Sequence, residues 1–293
     1  MRIGEEDGKT DHRTAAHVKP IPSDVADVAQ SYFALTDERL PDRLIGFYLV
    51  GSIALGDYRH GQSDLDFVSV IDSPLTAKEM ATLSGIHKLL ARRGLLPKLD
   101  GIYVTADQLL SAPDSLVTPC CRSGKFSPGD GFAANPVTWF VLSRHPRALR
   151  GPEKPAVCCN EAQLRMWCAN NLREYWSPWV QRACTTPLRM LYSLSSQAIV
   201  WGVLGVVRLH ATITTGGILS KSEAADYAVK SFVPHWSKVV CEASNIRERK
   251  TGSLYASIFA RRSAALSFMR FVILDAAARA ASLHTPVRRG EHL

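Results

Sequence analysis

Two carboxylates one residue apart, Asp64 and Asp66, open the apolar run LDFVSVI at 65–71. Upstream, Gly51-Ser52 closes another apolar run, LIGFYLV at 44–50, ten residues before the Ser63-Asp-x-Asp tetrapeptide. A third acid, Asp100, opens the run KLDGIYVT at 98–105. In a strand, residues i and i+2 share one face about 6.5–7 Å apart, so Asp64 and Asp66 stand side by side while Leu65 and Phe67 turn inward. Adjacent carboxylates repel unless a cation lies between them. Mg²⁺ takes hard oxygen ligands, typically one or two carboxylates completed by phosphate oxygens, so the pair points to a nucleoside triphosphate. Small residues at Gly51-Ser52 let backbone N–H groups come close to a phosphate. If three strands bring the acids to one edge, two hold metal and phosphates. The third, Asp100, then completes the metal site or takes a proton from an acceptor hydroxyl. A D-x-D at a strand end is commonplace by itself; its combination with Gly-Ser and a third acidic strand is specific.

The elements that must carry these residues are legible in the apolar spacing. Val25, Val28, Tyr32, Phe33 and Leu35 recur at helical intervals behind a capping Ser23. The runs at 44–50, 65–71 and 98–105 read as three strands, with an amphipathic helix from Thr76 to Arg93 between the second and third, stopped by Gly94. Residues 113–136 are rich in Pro, Gly, Ser and Cys, which predicts irregular chain or a hairpin; a short apolar run, WFVL at 139–142, and a turn at GPEKP follow. From about Glu161 the chain is largely helical, and no internal repeat occurs. The expectation is a polar tail at 1–21, an α/β domain with a small mixed sheet at 22–155, and an all-α helical bundle at 156–293.

Composition narrows the partners. The 293 residues suffice for two domains. Residues 151–293 carry 18 Lys/Arg against 9 Asp/Glu, a balance of +9; residues 1–150 carry 17 against 18, or −1, which together give the net +8. A basic half suits nucleotide phosphates. No basic run with interleaved aromatics appears, so nucleic acid is not expected. The N-terminus has no apolar secretory core, and the longest apolar stretch, Ala198 to Val207, is half a membrane span ended by Arg208. A cytoplasmic protein with no membrane partner is expected, as a monomer. The seven cysteines have neither CxxC nor zinc-like spacing and read as reduced thiols.

GSIALGDYRHGQSDLDFVSVI (51–71) resembles the Gly-Ser…Ser-Asp-x-Asp signature of the DNA-polymerase-β-like nucleotidyltransferases. NPVTWFVLSRHPRALRGP (135–152) and VLGVVRLHATITTGGILSKSEAADYAV (203–229) are similar to the streptomycin/spectinomycin adenylyltransferases, the likeness covering roughly 40–245. The resemblance implies Asp64 and Asp66 as Mg²⁺ ligands and Gly51, Ser52 and Ser63 as nucleotide contacts. It puts Asp100 where the family has its catalytic base, usually a Glu. It also puts Arg208 and Lys221 where two cations of the helical domain hold the ATP phosphates. Arg208 interrupts an apolar helix and Lys221 starts the next, which agrees with that role. The expected activity is Mg²⁺-dependent transfer of AMP from ATP to a hydroxyl of an aminoglycoside- or aminocyclitol-like small molecule. Another metabolite or a protein side chain as acceptor, or a degenerate nucleotide binder, are the alternatives.

Several other residues carry weaker signals. Trp176 and Trp179 read as core before acceptor contacts, His60 and Arg59 as an exposed turn or phosphate flank, and His87, His145 and His210 lack partner spacing. The resemblance also predicts an acid about three turns before Arg208, where this chain has Ala198. No Asp or Glu occurs between Glu174 and Glu223, so poor activity on streptomycin and spectinomycin is expected.

Overall fold

The computed structural model describes residues 20–113, 116–129 and 134–284; most of the predicted tail at 1–21 lies outside them. Helix α1 (Ser23–Arg39) leads into β1 (Leu44–Leu49), the single-turn helix α2 (Gly51–Ala54) and β2 (Leu65–Ile71). Helix α3 (Ala77–Arg92) crosses over to β3 (Leu99–Thr105), which runs into the short α4 (Ala106–Leu109). The hairpin β4 (Cys120–Arg122) and β5 (Lys125–Ser127), then α5 (Pro136–Arg144) and β6 (Arg147–Arg150), complete this part. The helical part holds α6 (Glu161–Asn171), a π-helical turn (Leu172–Trp176), α7 (Ser177–Thr185), α8 (Pro187–Tyr192) and α9 (Ser196–Thr215). It ends with α10 (Lys221–Ser231), α11 (Ser237–Arg247) and α12 (Ile258–His284).

The sheet has six strands in the order β5-β4-β3-β2-β1-β6; β2 and β3 are parallel and every other pair is antiparallel. Both faces are covered, which is why β1, β2 and β3 read as near-continuous apolar runs. Phe47, Phe67 and Tyr103 face α1 and α3, with Phe47 stacked on Phe67 at 5.0 Å. Tyr48, Val68, Val70, Ile102 and Val104 face Trp139 and Leu142 of α5. Strand alternation therefore puts Asp66 and Asp100, at the opening ends of β2 and β3, on the α5 face. The α3 crossover is held at its start by a capping box between Thr76 and Glu79.

The structure adds three things to the expected elements. The apolar run at 139–142 lies inside α5, whose start is fixed by the Asn135 side chain accepting from Val137 N and Thr138 N. RALR (147–150) has no apolar alternation, yet it forms the edge strand β6 by pairing with β1. Ser23 is the first residue of α1 and not its cap; Pro22 occupies the cap position without a side-chain bond. The hairpin expected within 113–136 is β4–β5, and all seven cysteines are free.

α9 is the axis of the helical part, with Val203, Leu204, Val206 and Val207 fully buried among α6, α11 and α12. Its 20 residues are long and apolar enough to cross a membrane, but here they form the bundle's centre. Ser195 caps its start, and Gly216, at φ +76°, ends it in the left-handed conformation.

Candidate active site

β1 runs antiparallel to β2, so the chain leaves β1 at Val50 beside the acidic opening of β2, where Val50 N donates to Asp66 O at 2.9 Å. The turn that follows is tight. Gly51 has φ +58°, and a Cβ there would lie 2.0 Å from Asp66 Oδ2. Only glycine serves both the left-handed backbone and the approach of the carboxylate. Gly51→Ala is expected to push the Asp66 carboxylate aside and lower stability by about 1–2 kcal/mol from backbone strain alone. Thermal unfolding and nucleotide titration of that variant check this, and wild-type values for both would refute it.

Asp66 lies directly opposite Asp100 in the parallel β2–β3 register, so the two carboxylates are about one strand spacing, ~4.8 Å, apart at the backbone. Asp64 precedes β2 by one residue. Burial, with the Asp100 and Asp64 charges adding to it, pushes the Asp66 carboxyl up to about 7 even though Ser52 N donates to it. Partial desolvation also raises Asp64, with Lys98 and Lys221 pulling the other way. Asp100 is raised by desolvation and by Asp64; its Oδ2 accepts from Ser123 N at 3.1 Å and Arg122 opposes the rise. Among the described residues no group of three or more His, Cys, Asp or Glu side chains is gathered closely enough to hold a metal ion. Asp64 and Asp66 alone give the two hard oxygen donors that Mg²⁺ takes alongside phosphate.

A cleft of about 170 Å³ lies over these residues, lined by Gly51, Ser52, Ser63, Asp64 and Asp66 on one side and Arg208, Lys221 and Arg247 on the other. Seven residues singled out from the sequence thus converge. Asp100 does not line the cleft but stands beside it through its strand pairing with Asp66. Ser52 Oγ is buried without a hydrogen-bond partner, an orphan that an oxygen-rich ligand would satisfy. Ser63 is committed locally, its Oγ accepting from Arg59 N at 3.0 Å. Arg208 donates through Nε to Leu219 O at 2.7 Å. Lys221 begins α10 behind the Ser220–Glu223 capping box. Desolvation and the neighbouring Arg208 and Arg247 charges lower the Lys221 ammonium. Three crowded cations facing crowded carboxylates leave charge of both signs that a ligand with phosphate and a bound cation could offset.

Arg247 and Asp57 carry no sequence signal of their own strong enough to single them out. Arg247 Nη2 donates to Asp57 Oδ2 at 2.7 Å and to Asp57 O at 3.0 Å, with both side chains less than a tenth exposed. Ser222 N and Oγ donate to the same carboxylate at 3.1 and 2.8 Å, and Arg59 Nη2 donates to Ser222 Oγ at 3.2 Å. The loop between α2 and β2 is thereby tied to α10 and α11. The one hint is that Asp57 falls within the Gly-Ser…Asp-x-Asp segment, but nothing in the sequence pairs it with a residue 190 positions later.

The weaker candidates separate cleanly. Trp176 and Trp179 are core residues. His60 is exposed and pairs with Asp24 at 2.6 Å. His87 is buried against Tyr103 and Cys121, and desolvation holds its imidazole neutral with a pKa down at about 4. His210 is buried between Asp275 and Tyr227. His145 lines a second, larger cavity of about 800 Å³ that shares Leu55, Asp57 and Ser220 with the cleft.

No family model matches the chain, and no curated protein matches it in sequence. In three dimensions it is similar to the crystal structure of spectinomycin adenyltransferase AAD(9) from Enterococcus faecialis with ATP and spectinomycin. The TM-score is 0.57 at 14% identity, over 84% of this chain and 99% of that one. The nucleotidyltransferase fold with its helical C-terminal part is therefore shared along nearly the whole of that protein.

Proposed function

We propose that the protein transfers AMP from ATP to a hydroxyl of a small molecule and releases pyrophosphate. The observation that carries this reading is the meeting of Asp64 and Asp66 with Arg208, Lys221 and Arg247 across one cleft whose floor holds the unpartnered Ser52 hydroxyl. The structural likeness to an enzyme whose structure includes ATP and spectinomycin supports ATP as co-substrate and a small-molecule acceptor.

Gly51 and Ser52 would take the terminal phosphates through backbone N–H and hydroxyl donors, while Arg208, Lys221 and Arg247 offset the phosphate charge. Mg²⁺ held by Asp64 and Asp66 would supply charge neutralisation at the phosphates. The acceptor oxygen forms a bond to the α-phosphorus as the bond from that phosphorus to the pyrophosphate oxygen breaks. Asp100 receives the hydroxyl proton on a carboxylate oxygen. Its raised proton affinity favours that role, because a base works best when its pKa approaches the working pH.

Calorimetry with ATP and Mg²⁺, followed by a pyrophosphate-release assay across hydroxylated acceptors, tests the reading; ATP binding without release for any acceptor would reduce the protein to a nucleotide binder. Asp100→Asn should lower turnover by about 10²–10⁴-fold, the usual weight of general-base catalysis, and leave ATP affinity nearly unchanged. A parallel loss of ATP affinity would move Asp100 to the metal site. Arg208→Ala and Lys221→Ala should each weaken ATP binding by about 1.5–3 kcal/mol, the worth of a charge-assisted hydrogen bond. Unchanged affinity in both would mean that the helical part does not grip the nucleotide.

A further inference from the structure

α2 stands between two hollows. Gly51 and Ser52, its first residues, line the cleft; Ile53, Ala54 and the Leu55-Gly56 that follow line the larger cavity of about 800 Å³. Leu55, Asp57 and Ser220 border both, so the two are direct neighbours. The far wall of the cavity is the end of α5 and the start of β6, residues 144–147, with Lys154. The sheet register fixes which side of the reaction centre this is. Arg147 pairs with Leu49, Leu49 with Phe67 and Phe67 with Gly101, one row across β6, β1, β2 and β3. In the adjacent row Asp66 is opposite Asp100. The β6 wall of the cavity and Asp100 of β3 therefore lie on opposite sides of Asp66.

The cavity is basic. Arg59, Arg144, Arg147 and Lys154 line it against two carboxylates, Asp57 and Glu223. Both carboxylates are already bonded. Asp57 accepts from Arg247 and Ser222, and Glu223 accepts from Ser220 N at 2.8 Å in the capping box that starts α10. A concave wall with an excess of one sign concentrates counter-ions, and Arg and Lys are the side chains that meet phosphate oxygens. A polycationic acceptor would be repelled here, and an adenosine carries no charge for these groups to meet. In an in-line displacement the leaving oxygen departs opposite the attacking one. With the base on the β3 side, pyrophosphate departs toward β1 and α2, where Gly51 and Ser52 would hold the terminal phosphates and the cavity begins.

We infer that the larger cavity is a second anion site, joined to the cleft over Leu55 and Asp57, which receives pyrophosphate as it leaves. The bond between the α-phosphorus and the pyrophosphate oxygen breaks in the cleft, and no covalent step takes place in the cavity. The inference rests on the AMP-transfer reading and adds to it a seat for the released product.

The test uses the full chain at constant ionic strength with Mg²⁺ in excess. The cleft is first filled with α,β-methylene-ATP, which cannot transfer AMP, and pyrophosphate is then titrated by calorimetry. One further equivalent of pyrophosphate should bind without displacing the analogue. Arg144 and Lys154 are exposed, so Arg144→Gln and Lys154→Gln should leave the fold intact. Each should weaken pyrophosphate at this second site by at least about tenfold, ~1.4 kcal/mol, while the affinity for the analogue holds within about twofold. The titration of the unaltered protein needs no substitution, so a misfolded variant does not shelter the idea. Absence of the second equivalent overturns it, as does a second equivalent that neither substitution weakens. Parallel loss of analogue affinity in both variants also overturns it, because the cavity would then be holding the nucleotide itself. If the unaltered protein does not bind the analogue at all, the transferase reading falls and the product seat with it. Intact analogue binding without a second equivalent refutes only the product seat.

Discussion

Asp66→Asn should abolish AMP transfer and yet make the unliganded protein more stable above neutral pH. On the proposed reading this carboxylate is one of the two that would hold Mg²⁺ at the phosphates, and its loss is expected to lower turnover about a thousandfold, ~4 kcal/mol of transition-state stabilisation. Retention of more than about a tenth of wild-type turnover would refute the assignment. The stability effect follows from burial of the carboxyl beside Asp100 and Asp64, which raises its folded-state value to about 7 from 3.8. Between those values the folded protein keeps a proton that the unfolded chain has released. Stability therefore falls as pH rises through the window, and above it the full cost is present. Asparagine has no charge to desolvate and keeps an oxygen that can accept from Ser52 N. The gain from the substitution should be near zero below about pH 4 and grow to a plateau above about pH 7, with roughly 4 kcal/mol as a ceiling. Thermal unfolding of both proteins across that range checks it; a pH-independent difference would mean that Asp66 is not a strained carboxylate.

Asp57→Ala should be the most destabilising single change at the boundary between the sheet and the helical part. The Asp57 carboxylate accepts from Arg247 Nη2, Ser222 N and Ser222 Oγ. Its removal strands the buried Arg247 guanidinium without its paired carboxylate and takes part of the compensating charge from Arg208 and Lys221 beside it. Breaking a buried pair from one side costs about 3–5 kcal/mol, more than any surface pair in the molecule would. ATP with Mg²⁺ should recover part of that loss, because phosphate oxygens replace the missing anion and a ligand that binds only the folded state stabilises it. The melting temperature of the variant should thus drop sharply in the absence of nucleotide and rise more on ATP addition than that of the wild type. An unchanged melting temperature would show that Asp57 does not hold the two parts together.

Much of the site is legible in the chain because its chemistry is local. Gly51, Ser52, Ser63, Asp64 and Asp66 sit within sixteen consecutive residues, and strand alternation alone orients the acids. Asp100 is legible because β3 is a second apolar run opened by an acid, although its pairing opposite Asp66 depends on the α3 crossover. Arg208 and Lys221 are legible from a family likeness and from a charge set into an apolar helix. β6 is not, since RALR gains its strand character only from the free edge of β1.

The sequence by itself determined which groups can do chemistry and which faces are buried, because both follow from residue type and from periods of two and 3.6. Only the tertiary structure decided that Arg247, 190 residues after Asp57, would complete the cationic wall. It alone set Trp201 of α9 against Trp176 and Trp179 and left α8 with no buried residue. Contacts of that kind depend on how helices pack across a sheet edge, where many residues each contribute a little and no local pattern records the partner.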